Sequence, residues 1–105
     1  MKGTFPLPVE AKHETIQLNY GLSANVTRCG RLCTVHLNGP VNQATSSWAR
    51  LGYLPRPKEQ VITPNCAYMN HYLVVNYDGQ FLCSAALPNG YYVQGTFTYI
   101  LSDDE

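Results

Sequence analysis

Apolar and polar residues alternate along most of this chain in short runs, and turn-forming residues separate the runs. The runs are ETIQLNYGLS, RLCTVHLNG, SSWARLGYL, EQVIT, CAYM, HYLVVNY, QFLCSAAL and YYVQGTFTYIL. Between them stand Asn38-Gly39-Pro40, Pro55 with Pro57, Pro64-Asn65, Asp78-Gly79 and Pro88-Asn89-Gly90, residues that favour turns for distinct backbone reasons. A period of two sends successive side chains to opposite faces of a strand. The pattern therefore predicts an all-β fold, an antiparallel β-sandwich of jelly-roll or Greek-key type. No window keeps an apolar stripe at i, i+3, i+4, i+7, so no helix is expected. Residues 1 to 13, with Pro6 and Pro8, read as an extended arm, residues 14 to 101 as the sandwich, and residues 102 to 105 as a frayed acidic tail.

Two runs show one wet face. Cys33, Val35 and Leu37 alternate with Thr34 and His36, and Val93, Phe97 and Tyr99 alternate with Gln94, Thr96 and Thr98. Gly95, inside the second run, suggests a bulge or a close neighbouring backbone. The stretch His71 to Ala86 is different, because a two-residue type I′ turn at Asp78-Gly79 leaves neither face polar. In that register Leu73, Val75 and Leu82 face the core, and Tyr72, Val74, Phe81 and Cys83 form a second apolar face that something must cover, which suits a central or interface-lining position. Val35, Leu37, Phe97 and Tyr99 complete the expected core, together with Leu51, Leu54 and Trp48, which read as one buried corner.

Composition sharpens this picture. Charged residues make up 13% of the chain, about half the usual share in soluble domains. Seven basic and seven acidic residues leave a formal net charge of zero, which does little to keep copies apart. Arg28, Arg31, Arg50 and Arg56 are scattered, so no basic patch invites nucleic acid or an anionic membrane surface. No apolar run approaches the roughly 18 residues of a membrane span, and the first residues hold no apolar signal-peptide core.

Candidate chemistry is sparse. Cys29, Cys33 and His36 have a metal-like spacing, but in an extended strand residues four apart lie about 13 Å from each other, too far to share a zinc ion. Cys29, Cys33, Cys66 and Cys83 read as mostly buried thiols, and no metal or cofactor is expected. Away from the ends the acids are Glu14, Glu59 and Asp78, with no paired carboxylates, nucleophile elbow or phosphate loop. His13, His36 and His71 read as solvated or interface residues, so no catalytic residue is expected. Tyr68, His71, Tyr72, Tyr91 and Tyr92 fall near strand ends, where loops present aromatic platforms, and Asn42, Gln43 and Arg50 offer hydrogen bonds to sugar hydroxyls.

The segment Trp48-Ala-Arg-Leu51-Gly52-Tyr-Leu54-Pro55-Arg-Pro57, followed by a Val-Ile strand, a hairpin and a closing Gly95-Thr-Phe97-Thr98-Tyr99-Ile100, resembles the C-terminal β-sandwich domains of bacteriophage tail fibres and baseplate upper proteins. The likeness spans residues 28 to 101. It implies a trimeric, non-enzymatic virion module, assembled in the host cytoplasm beside other tail proteins, that meets a host-surface glycan or protein. A purely structural trimer-capping knob and a fibre-borne polysaccharide hydrolase are the alternatives. Under this resemblance the second apolar face of the Asp-Gly hairpin lies against a sister subunit.

Overall fold

The computed structural model describes residues 11 to 105, except the side chain of Met69. Among them run eight strands and no helix: β1 (Lys12–Gln17), β2 (Ser23–Cys29), β3 (Leu32–Pro40), β4 (Arg50–Tyr53), β5 (Val61–Asn65), β6 (Tyr68–Val75), β7 (Gln80–Cys83) and β8 (Tyr92–Ile100). They form two antiparallel sheets, sheet A in the order β1-β2-β3-β8 and sheet B in the order β4-β7-β6-β5. In sheet B three consecutive strands are joined by hairpins, and β4 lies beside the far one after a long connection, the strand order of a Greek key. The expectation of an extended arm lies, for residues 1 to 10, outside the described residues, and β1 already begins at Lys12.

The sheets enclose one core, because each contributes alternate apolar side chains to the space between them. Ala24, Val26, Cys33, Val35, Leu37, Val93, Phe97 and Tyr99 come from sheet A, and Leu51, Leu73, Val75, Phe81 and Cys83 from sheet B. Phe81 and Phe97 meet across the interior with ring centroids 6.3 Å apart. Tyr99 is buried too, and its hydroxyl donates to the Pro55 carbonyl at 2.7 Å. Gly95 makes no bulge: it pairs regularly with Leu37, and Leu73 packs over the place where a Cβ would stand.

The Asp-Gly hairpin pairs one residue out of the expected register. Leu73 lies opposite Cys83, Val74 opposite Leu82 and Val75 opposite Phe81. The reason is the turn. Asn76, not Tyr77, closes the loop, its N–H donating to Gln80 C=O at 2.9 Å, while Gly79 N–H donates to Asn76 C=O at 2.9 Å. Of the loop residues only Gly79 has positive φ, at 91°, so this is a three-residue connection ending in a glycine bulge rather than a type I′ turn. Two contacts hold it: Asp78 Oδ1 accepts the Gln80 N–H, and the Gly79 carbonyl accepts the Leu54 N–H. A Cβ on Gly79 would stand 2.6 Å from the Leu54 carbonyl oxygen.

A slip of one residue turns a whole strand over. Phe81 and Cys83, expected at a subunit interface, are fully buried in the core, and Leu82, expected in the core, lies half-buried on the outside of sheet B. Trp48 is a second correction. It is 57% exposed, because it sits with φ 59° in the turn Ser46–Ala49 before β4 rather than in a strand. The run ETIQLNYGLS is not one strand either. It breaks at Asn19–Leu22, where Tyr20 also has φ 59°, and β2 follows.

Candidate functional site

The two outer faces of the sandwich differ in their central ranks, and register explains both. On sheet A, His13, Thr27, Thr34 and Thr98 stand in one rank across all four strands, with Thr15, Asn25, His36 and Thr96 in the next. Their side chains satisfy one another in pairs: His13 with Thr27 at 3.0 Å, Thr34 with Thr98 at 2.8 Å, Thr15 with Asn25 at 3.1 Å and His36 with Thr96 at 2.6 Å. These two ranks are compatible with water, while the exposed Leu32–Ile100 pair lies at one end of the face and Tyr92 at the other.

On sheet B the corresponding rank is Arg50, Leu82, Val74 and Ile62. Tyr72 and Pro64 flank it on one side and Tyr53 on the other. Ile62, Tyr72 and Tyr53 are 62%, 51% and 52% exposed. In a regular strand Arg50 and Tyr53, three apart, would point to opposite faces. The bulge between Arg50 and Gly52 inserts Leu51 and returns both to the outer face, where the Arg50 guanidinium lies 5.0 Å from the Tyr53 ring centroid and donates to its hydroxyl at 3.0 Å. Gly52 permits the bulge: its φ is 153°, and a Cβ there would meet Leu18 Cδ2 at 2.5 Å. A groove of about 590 Å³ continues from Ile62 along the side of the sandwich, lined also by Lys58, Gln60, Tyr99 and Ile100.

The upper end of the sandwich gathers the β1–β2 turn, the β3–β4 connection, the β5–β6 turn and the β7–β8 connection. Val41 N–H donates to Tyr91 C=O, Asn42 N–H to Tyr20 C=O and Thr45 N–H to Leu87 C=O. Here three of the expected ligand residues come together. Tyr68 and Tyr91 stack with centroids 3.9 Å apart, and the His71 ring lies 5.6 Å from Tyr91 and 6.0 Å from Tyr68. Beneath them the fully buried Asn65 donates from Nδ2 to Tyr92 C=O and accepts the Gln94 N–H, which seals this end of the β8 edge.

The remaining expected ligand residues stand apart. Tyr72 and Arg50 belong to the outer face of sheet B. Tyr92 is half exposed at the end of β8 opposite Pro40, the Asn42 side chain covers Gly21, and Gln43 is exposed in the β3–β4 connection. Residues that sequence reasoning missed are Tyr53 and Ile62 of the outer rank. Ile62 carried a signal in its apolar run, whereas Tyr53 depends on the bulge.

The metal-like spacing of Cys29, Cys33 and His36 comes to nothing for a reason other than extension. The chain does turn sharply at Gly30, but Cys33 points into the core while Cys29 and His36 are exposed. Among the described residues no group of three or more His, Cys, Asp or Glu side chains is placed to hold a metal ion. Burial pushes the Cys33 and Cys83 thiols above their ordinary range, which keeps them protonated and unreactive. Cys66, unlike these two, is exposed. No family model matches the chain, and no curated protein matches it.

Proposed function

We propose that this chain is a non-catalytic module of a phage virion, the distal domain of a tail fibre or baseplate protein, working as a homotrimer beside other tail proteins. Its upper end is turned towards a host-surface glycan or protein. The observation that carries the reading is the rank Arg50–Leu82–Val74–Ile62 with Tyr53 and Tyr72 beside it, in which Val74, expected at the interface, is already buried by its neighbours and Ile62, Tyr53 and Tyr72 are the exposed members. Exposed Ile62, Tyr53 and Tyr72 on this face, beside the half-buried Leu82, favour association over a solitary life in water. Turned to a three-fold axis, that face is buried against two neighbours, a contact that closes a ring. The scarcity of charge acts in the same direction.

Light scattering at micromolar concentration checks this. The expected mass is three times that of one chain, and Ile62→Lys with Tyr72→Lys is expected to return it to one chain with an unchanged circular dichroism spectrum. Both positions are more than half exposed, so the substitutions leave the core intact. A strictly monomeric parent chain overturns the reading. The capping knob is favoured by one specific feature: Tyr68 and Tyr91 stack on each other, so each already covers a face that a sugar ring would need. Glycan-array binding without turnover supports adhesion, and its absence in a trimeric protein supports the knob.

A further inference from the structure

β8 is an edge strand of sheet A, and its outer edge is closed at both ends and open between them. Leu101 N–H donates to Arg31 C=O, which continues the β3–β8 ladder, so odd-numbered residues of β8 point their backbone groups at β3. The even-numbered residues point away from it. At the upper end Gln94 N–H donates to Asn65 Oδ1 and Gln94 C=O accepts the Cys66 N–H. At the lower end Ile100 C=O accepts the Lys58 N–H at 2.8 Å. Between these closures the N–H and C=O of Thr96, the N–H and C=O of Thr98 and the N–H of Ile100 find no partner among the described residues. Beside them runs the groove of about 590 Å³, with Val61 and Ile62 of β5 as its other wall. An open edge of this kind is a template for another strand.

The chain carries a segment of matching pattern. In Phe5-Pro6-Leu7-Pro8-Val9, apolar side chains alternate with prolines. Each proline restrains the residue before it to an extended conformation, and its missing N–H is tolerated on the outward side of an edge strand. The segment can therefore hydrogen-bond along one side only, through Phe5, Leu7 and Val9. Laid parallel to β8, with Leu7 beside Phe97 and Val9 beside Tyr99, it answers the open groups one for one. Phe5 C=O accepts the Thr96 N–H, and Leu7 N–H donates to Thr96 C=O. Leu7 C=O accepts the Thr98 N–H, Val9 N–H donates to Thr98 C=O, and Val9 C=O accepts the Ile100 N–H. In that pairing Leu7 and Val9 fall on the same side of the sheet as Phe97 and Tyr99, the side on which the groove opens.

We infer that the segment Phe5 to Val9 of one copy adds a strand to sheet A of a second copy, on the open edge of β8. Reach decides between a chain's own edge and a neighbour's. Lys12 stands in the rank Lys12–Arg28–Cys33–Tyr99, so a strand outside β8 lies four inter-strand spacings from it, about 19 Å. Val9, three residues before Lys12, reaches about 10 Å from it. The donor is therefore another copy. An exchange in which each copy gives its segment to the next is head-to-tail, the kind of contact that forms rings. The inference rests on the reading that copies of this chain associate and takes nothing from the phage context.

Amide hydrogen exchange of the full chain, read by NMR, tests it. The Thr98 and Ile100 N–H groups are expected to exchange on the order of a hundredfold more slowly in the parent chain than in Leu7→Pro, which removes the central donor of the segment. Leu7 belongs to none of the eight strands, so the substitution leaves the core residues in place. Isotope-labelled Leu7→Pro, refolded together with an excess of unlabelled parent chain, is expected to regain the protection, because its own edge is intact and the parent supplies the segment. Fast exchange in a parent chain that light scattering shows to be multimeric overturns the inference and leaves the association reading standing. Equal protection in the parent and in Leu7→Pro overturns it as well, because something other than this segment then covers the edge. Labelled Leu7→Pro that stays unprotected in the mixture assigns each segment to its own chain and likewise overturns it. A parent chain that is a single copy at every concentration overturns both readings.

Discussion

At the scale of single residues, the side chains in unexpected places are those whose backbone is unusual. Trp48 adopts the left-handed region although it is bulky, a conformation that costs an L-residue about 1–2 kcal/mol. Its indole is not buried in return. Trp48→Asn, which tolerates the same φ, is therefore expected to raise stability by about 0.5–1 kcal/mol in urea denaturation. A lower midpoint would mean that the indole contributes packing after all.

At the scale of elements, the Asp78-Gly79 hairpin carries the lesson of register. Its existence is legible from the dipeptide, but its turn type is not, because Asp-Gly serves both a two-residue and a three-residue loop. What selects the longer loop is the Leu54 N–H reaching the Gly79 carbonyl from another strand's end. The consequence for energetics is sharp. Phe81→Ala is expected to cost about 3–5 kcal/mol in chemical denaturation and Leu82→Ala about 1 kcal/mol. The expected register predicts the reverse order, so the pair of variants decides between the two. Pro64 fits the observed arrangement as well, since β5 is an edge strand and a missing N–H is tolerated there.

At the scale of the whole molecule, two features belong to no single element: the different central ranks of the two outer faces, and the terminal strap, residues 102 to 105, which does not fray as expected but sets the Glu105 carboxylate against Arg28 and Arg56. Burial alone would raise the Glu105 carboxyl, but the Arg56 backbone N–H and guanidinium, followed by Arg28, outweigh it and hold the carboxyl below its ordinary value of 4.5. A depressed folded value means that the strap stabilises the fold fully above the unfolded value and ceases to do so as pH falls through the folded one. The thermal midpoint of the parent chain is expected to exceed that of E105Q at pH 7, with the gap narrowing as the pH falls below the ordinary carboxyl value of 4.5 and through the depressed folded one. Midpoints recorded across that range check it. A gap that persists at low pH would show that Glu105 acts through packing and not through its charge.

By itself the sequence determined the β class, the strands β3 and β8 with their inward and outward faces, and most of the core, including Leu37, Leu51, Leu73 and Val75. Period-two burial is a local property, and a run of residues displays it without knowing its neighbours. Only the tertiary structure decided that Phe81 points in and Leu82 out, that Arg50 and Tyr53 share a face, and that Glu105 lies between Arg28 and Arg56. Each of these depends on contacts between distant segments, 77 residues apart for Arg28 with Glu105 and 49 for Arg56 with Glu105. A hydrogen bond or ion pair across such a separation leaves no periodic trace in the chain, because its geometry exists only once the sheets have come together.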